Sequence, residues 1–380
     1  MSDADAIVIG GGLAGAAAAA HLAAAGRGVV LFERAAGAHH KVCGEFLSGD
    51  AVGYLRALGI DPAVLGASEI GHVRIRAGGR DAGAALPFPA YGLSRRLLDE
   101  RLLVHAADRG VELRRGLAVR RLERSNGLWQ VDGVRAPAVL LATGKHDLRG
   151  HGRPTDAGAD LIGFKMHLRL APGSAARLVG AVEILLYDGG YAGLQLVEGG
   201  TANLCLLVSR RGYASLGRRW DRLLARLGEA TPAFAAYLDG AQPLMDSPAA
   251  VAGIPYGHVH CPRPADPPGL YRLGDQFAVI SSFVGDGMAI ALHSARVVVS
   301  ELLAGREALA YHRTLRRDVR PAVRDARLVS SAVRGPLGRG AILAACRLAP
   351  PLMTWLAART RMPARADPPA CPVARKAAGA

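Results

Sequence analysis

Three glycines and an acid carry the first chemistry in this chain. Gly10, Gly12 and Gly15 follow the apolar run Ile7-Val8-Ile9, and Glu33 closes Val29-Val30-Leu31-Phe32, eighteen residues after Gly15. The order is strand, glycine turn, helix, strand, acid. That is the fingerprint of a site for the ADP half of a dinucleotide. Gly10 allows the tight turn, Gly12 lets backbone approach a pyrophosphate, and Gly15 lets the helix pack close to the strand. The helix over residues 13–25 would aim its unpaired N–H groups and positive dipole end at the phosphates. Glu33 can accept hydrogen bonds from ribose hydroxyls.

Other reactive residue types are sparse. The five cysteines (Cys43, Cys205, Cys261, Cys346, Cys371) form no CxxC and no metal spacing. The expectation is no metal, no disulfide framework and a reducing, cytoplasmic compartment. His39 and His40 read as solvated loop residues. No nucleophile–base triad is recognisable, so no catalytic residue is assigned.

The elements that must position these residues follow from pattern. Residues 48–58 have helical periodicity, and 72–77 read as a strand. A strong helix occupies 91–109, with Ser94 as its N-cap. Residues 111–114 and 117–124 read as strands, Asn126-Gly127 as a hairpin turn, and 128–131 as the return strand. Val139 to Leu141 is a buried strand running into Ala142-Thr143-Gly144. Four strands with glycine punctuation follow at 163–170, 181–186, 191–197 and 201–209, which predicts an antiparallel sheet. Helices are expected at 220–227 and 233–238, a strand at 270–273, and a long helix at 285–303. The fold class is α/β: a Rossmann-like nucleotide-binding domain with an inserted antiparallel-sheet substrate domain and a helical C-terminus. The expected domains are 1–160 with 265–310, then 161–264 with parts of 65–95, then helices over 311–365 and a disordered tail over 366–380.

Composition narrows the partners. Half of the 380 residues are hydrophobic, so a substantial core is available. The net charge is +15, but only four of the 47 basic residues are lysine, and they are scattered without aromatic interleaving. No nucleic-acid partner is expected. The N-terminus lacks a basic n-region and carries Asp3 and Asp5, unlike a signal peptide. No charge-free apolar run reaches the length of about twenty residues that a bilayer span needs.

Four blocks occur in a fixed order. They are the glycine fingerprint with Glu33, then Ser94-Arg95-Arg96-Leu97-Leu98-Asp99, then Ala142-Thr143-Gly144, then Gly274-Asp275 with Gly285-Asp286-Gly287-Met288. Their order resembles the FAD-dependent monooxygenases of the para-hydroxybenzoate hydroxylase type and their relatives, the geranylgeranyl reductases. Lys41-Val42-Cys43-Gly44-Glu45 is similar to the lysine–proline–cysteine–glycine segment of those reductases. Here Val42 replaces the proline, and Glu45 stands where glycine is usual. The resemblance implies FAD as cofactor and a nicotinamide donor, NAD(P)H, bound only transiently. It implies cofactor contacts from Gly10, Gly12, Leu13, Ala14, Gly15, Glu33, Arg34, Lys41, Cys43, Gly44, Arg95, Val119, Thr143, Gly144, Gly274, Asp275, Gly285, Gly287 and Met288. In that scheme Arg95 approaches the phosphates, Asp275 binds a ribityl hydroxyl, and the turn at 285–288 faces the flavin's pyrimidine edge. The aromatic–tryptophan–phenylalanine–proline signature of geranylgeranyl reductases is absent, and so is the Trp-x-Trp-x-Ile-Pro motif of tryptophan halogenases.

The expected function is an FAD-dependent oxidoreductase, first of all a monooxygenase. It would hydroxylate or epoxidise a lipophilic or aromatic secondary metabolite through a flavin hydroperoxide. The alternatives are a reductase of prenyl or polyketide double bonds, and a flavin-binding or electron-transfer protein without turnover. Glu45, Phe164, Tyr187, Tyr191, Leu194 and Gln195 are expected to line the substrate pocket. Strand alternation allows only about half of any such run to face it. The apolar segment 340–359 is broken by Pro350-Pro351 and should form two short helices. Packing over the substrate domain is one role for them. A peripheral contact with the inner face of an anionic membrane is the other.

Overall fold

The fold was obtained as a computed structural model, which describes residues 2–154, 160–348, 350–359 and 361–362. The expected tail over 366–380 lies outside these. The N-terminal part runs β1 (Ala6–Ile9), α1 (Leu13–Ala24), β2 (Val29–Glu33), β3 (Phe46–Leu47), α2 (Gly49–Ala57), β4 (Ser68–Ala77), β5 (Arg80–Gly92) and α3 (Arg95–Asp108). Next come β6 (Glu112–Arg115), β7 (Glu123–Ser125), β8 (Leu128–Val131), β9 (Val134–Ala136) and β10 (Ala138–Leu141). The middle contains β11 (Leu161–Arg169), α4 (Pro172–Leu178), β12 (Gly180–Tyr187), β13 (Gly190–Leu196) and β14 (Ala202–Ser209). It continues through α5 (Arg210–Ser215), α6 (Trp220–Ala230), α7 (Pro232–Leu238), β15 (Gln242–Pro243), β16 (Ala249–Ala252) and β17 (Leu270–Arg272). The C-terminal helices are α8 (Gly287–Leu303), α9 (Ala308–Arg334), α10 (Pro336–Leu348) and α11 (Pro350–Arg359).

A parallel sheet in the order β17-β10-β1-β2-β6 forms the first layer. The chain leaves β1 toward β2 and β6, then returns on the other side through β10 and β17. The crevice at the carboxyl ends of β1 and β10 is therefore a topological switch point, where α/β sheets bind ligands. Both strands are apolar at every position because both faces are covered, one by α1, α3 and α8 and the other by Trp129, Val131, Val134 and Ala136 of the β7–β8–β9 sheet. Five consecutive alanines of α1, Ala16 to Ala20, are buried, and so are Ala289 and Ala295 of α8. Small side chains let these helices sit close to the sheet and to each other.

The second sheet runs β15-β11-β14-β13-β12-β4-β5-β3, with β16 paired to β11. It is antiparallel except between β12 and β4, which are parallel. Residues 68–92 thus belong to the same sheet as 161–209. The expected strand over 117–124 is not formed; regular pairing begins only at Glu123, in the β7–β8 hairpin that turns through Asn126-Gly127. The prolines do split the C-terminal segment into α10 and α11. Leu343 and Cys346 of α10 pack with Ile75, Ala82 and Leu186 of the second sheet.

Candidate functional site

The glycines at the end of β1 sit where side chains have no room. Gly10 adopts φ +106°, and a Cβ there would overlap the Ala142 carbonyl oxygen across the crevice. A Cβ on Gly15 would overlap the carbonyl oxygen of Gly10. Helix α1 therefore starts hard against the strand. Its N-cap is Gly12, no side chain caps it, and its first turn holds no acid. The N–H groups at its start, at Leu13 and Ala14, belong to residues that line a cavity of about 720 Å³. Glu33 accepts from the N–H of Gly11 at 2.7 Å through Oε2, and from that of Ala35 at 2.8 Å through Oε1. These bonds fix its carboxylate at the cavity edge, and each oxygen keeps a lone pair for a ribose hydroxyl.

Two cations flank Gly12. Lys41 Nζ lies 2.7 Å from Asp99 Oδ2, while Arg95 holds the same carboxylate through Nε at 2.7 Å and Nη2 at 2.9 Å. A Cβ on Gly12 would meet Arg95 Nη2 at 3.5 Å and Lys41 Nζ at 3.7 Å. Burial opposes the charge on Asp99, but Arg95 and Lys41 outweigh it and hold its carboxyl below the usual range. One carboxylate between two cations leaves a net positive charge beside the helix start, where a pyrophosphate would be stabilised.

The second glycine turn closes the other side. Gly285 is left-handed at φ +72° with Phe46 against it, and α8 begins at Gly287. The N-cap, Asp286, turns its carboxylate away from the cavity. It accepts from Ser48 Oγ at 2.8 Å and from Arg361 Nη1 at 3.0 Å. No acid stands in the first turn of α8 and no side chain caps it, so a second helix N-terminus is open toward the same cavity. Asp275 lines that cavity too. Buried Arg153 holds its loop in place, donating to the Asp275 carbonyl at 2.8 Å, to the Lys145 carbonyl at 3.0 Å and to Asp147 at 2.8 Å.

The residues present fit FAD: a glycine cradle a Cβ would fill, two uncapped helix starts, two cations and two carboxylates around one cavity. Arg34, Cys43, Gly44, Val119, Thr143, Gly144, Gly274 and Met288 line it as well. Gly15 is the one expected contact that does not. It acts behind the site by setting the approach of α1.

Beyond the glycines the cavity runs over the second sheet. Val73, Ile75, Leu86, Val182 and Ile184 wall it, with Ile342 and Cys346 of α10 above. Tyr191, Gly193 and Gln195 face it from one side of β13. Three expected pocket residues do not. Phe164 and Leu194 pack in the core between this sheet and α6–α7, Phe164 with its ring 4.8 Å from that of Tyr213. Tyr187 joins the same core and donates to the Leu207 carbonyl at 2.6 Å. Side chains alternate along a strand, so placing Tyr191 and Gln195 in the cavity turns Leu194 away. Two phenols share one hydroxyl on the cavity wall. Tyr191 Oη lies 2.5 Å from Ser282 Oγ, which donates to Tyr256 Oη at 3.1 Å. Burial raises both phenols above their ordinary range.

Sequence reasoning missed what stands behind Glu45. Its backbone is left-handed at φ +58°, the conformation that favours glycine. Its carboxylate is fully buried against Lys165 and accepts from His167 Nε2 at 2.7 Å and from the Arg95 N–H at 2.7 Å. Burial works against its charge, but His167 and Lys165 outweigh that and hold the carboxyl down. The ring of His40 stands edge-on to His167 at 4.7 Å and reaches the cavity. Burial and Lys165 push His40 down to about 4. The available signal was the alternation of Lys165, His167 and Arg169 in a strand whose other residues are apolar or glycine.

One cluster elsewhere has metal-ligand types: His260, Asp266 and His312. His312 Nε2 accepts from the Arg272 N–H at 3.0 Å. Its Nδ1 therefore carries the proton of a neutral imidazole and has no lone pair for a metal.

Residues 3–147 match the FAD-binding domain family. A menaquinone reductase of Mycolicibacterium smegmatis is 37% identical over 123 residues, a stretch that spans 30% of this chain and 30% of that protein. Among solved structures, a flavin-dependent brominase superposes with TM-score 0.75 at 16% identity, over 94% of this chain and 93% of the other. A geranylgeranyl bacteriochlorophyll reductase-like protein of Thermoplasma acidophilum superposes with TM-score 0.68 at 20% identity, over 89% of each. Residues 3–147 thus carry the match to an FAD-binding domain, and the chain as a whole shares its fold with a flavin-dependent brominase and a geranylgeranyl reductase-like protein.

Proposed function

We propose that the chain is an FAD-dependent reductase of a lipophilic, alkene-bearing substrate such as an isoprenoid quinone. The observation that carries this reading is the hydroxyl network Tyr191–Ser282–Tyr256 on the wall of an aliphatic cavity. FAD, when bound, supplies the hydride. Saturating a double bond also needs a proton, and phenols kept protonated by burial are acids placed to give one. Ser282 touches both phenols and can pass a proton between them. The aliphatic walls hold the substrate and exclude water. A reduced nicotinamide that binds transiently would recharge the flavin.

Two further facts support reduction over halogenation. The matched relative is named a menaquinone reductase. Each lysine among the described residues is tied to an acceptor: Lys41 to Asp99, Lys145 to the Val42 carbonyl at 2.6 Å, Lys165 to Glu45. Oxygen insertion is the competing reading, because the order of the four sequence blocks resembles the para-hydroxybenzoate hydroxylase type.

One experiment separates them. The protein is reduced anaerobically and mixed with a polyprenyl quinone. The reductase reading expects flavin reoxidation without oxygen and a product heavier by two hydrogens, both slowed in Tyr191→Phe. Reoxidation that requires oxygen, with labelled oxygen appearing in the product, would overturn it.

A further inference from the structure

Helix α10 is apolar on two opposite sides. Its inner side packs on the second sheet through Leu343 and Cys346, and Ile342 and Cys346 line the cavity. Its outer side carries Leu337, Ala341, Ala344 and Leu348, at the helical spacing i, i+4, i+7, i+11, all exposed. Leu337 is 90% exposed and Leu348 86%. Leu328 near the end of α9 and Trp355 of α11 add exposed apolar surface at 65% and 53%. A soluble helix with no partner does not usually present such a stripe.

We propose that this face docks on an anionic lipid surface, with α10 lying in the plane of the interface. Charge chooses the occupant. Residues 326–362 hold six arginines and no lysine, aspartate or glutamate. Arg327, Arg334 and Arg347 are exposed around the stripe. A second copy of the chain is disfavoured, because a two-fold contact would bring like charges together. The chain's own residues 363–380 contain a single large aliphatic residue, Val373, and cannot cover the stripe. A helix of 13 residues spans about 20 Å, too short to cross a bilayer, and no helix among the described residues is long and apolar enough to do so. An amphipathic surface with apolar side chains and flanking arginines is the signature of an interfacial helix. Docking would put the cavity wall formed by Ile342 and Cys346 one helix thickness from the lipid. The proposal stands independently of the reaction.

The test is co-sedimentation of the full chain, loaded with FAD, with vesicles of phosphatidylcholine alone or mixed with phosphatidylglycerol. The wild type should pellet with the anionic vesicles at low salt, and high salt should release it. Leu337→Glu/Leu348→Glu should lower the bound fraction about tenfold or more while circular dichroism and flavin content stay unchanged. Should that variant misfold, Arg334→Gln/Arg347→Gln gives the second reading and should weaken binding to anionic vesicles only. Failure of the wild type to pellet, or equal pelleting of all variants, would overturn the proposal. So would a concentration-dependent dimer that Leu337→Glu/Leu348→Glu disperses without any vesicle binding.

Discussion

Glu45 shows how a single side chain can be forced into a buried network. Its left-handed backbone is held by the Leu93 N–H, at 3.1 Å from the Glu45 carbonyl, and by Gln195 Nε2, at 2.9 Å from the same oxygen. Lys165, fully buried, depends on the Glu45 carboxylate. Glu45→Gln would leave that ammonium uncompensated, and unfolding in urea should show a loss of about 3 kcal/mol. The folded-state carboxyl is held below its ordinary value, so its contribution is present above about pH 4.3 and is lost as pH falls through the folded value. His312 acts at higher pH. Burial lowers it from 6.5 to about 3, so folding favours the neutral ring. Its contribution is complete above pH 6.5 and drains away between 6.5 and 3. At pH 5 the loss should be about 2 kcal/mol, and His312→Gln should flatten the change in urea midpoint between pH 7.5 and 5. The glycine fingerprint was legible because each glycine answers a steric demand of its own. Glu45 was legible as a cavity residue, but its partnership with Lys165 and His167 was not, since it spans 120 residues and more.

At the scale of elements, α3 ties the two sheets to the site. Ser94 caps it by accepting from the Leu97 N–H at 3.2 Å, and its hydroxyl donates to Glu198. Ser94→Ala should cost about 1 kcal/mol, or a melting-point drop of about 2 °C, and loosen Arg95 beside Gly12. The cap was readable in the sequence, and so were most strands of the second sheet. Which face of each strand meets the cavity was not. A period of two fixes the alternation but leaves its phase open, and one step exchanges Leu194 for Gln195. Strand β5 escaped sequence reasoning altogether. Its residues are rich in alanine, glycine and proline, types with little preference for strands, and pairing with β4 is what holds them extended.

At the scale of the molecule, the last described residues close the site. Arg361 reaches Asp286 at 3.0 Å and stacks over Phe88 and Phe46, while Met362 is buried in the core around α1 and α8. Among the described residues, Arg361→Ala would leave the buried Asp286 carboxylate with Ser48 as its remaining side-chain donor. The expected outcomes are a loss of about 2 kcal/mol and weaker retention of FAD, read by urea denaturation and by flavin released on dilution. Removing everything after Arg334 should bare Ile75 and Leu186 and give an aggregating protein, seen by light scattering. None of this closure was legible, because Arg361 and Asp286 lie 75 residues apart with no shared pattern. The cavity is lined by residues from Ile9 to Arg361. On a ribosome, the first glycine turn therefore emerges long before its last wall. The groove stays open until Arg361 and Met362 have followed and folded back onto Asp286 and the core.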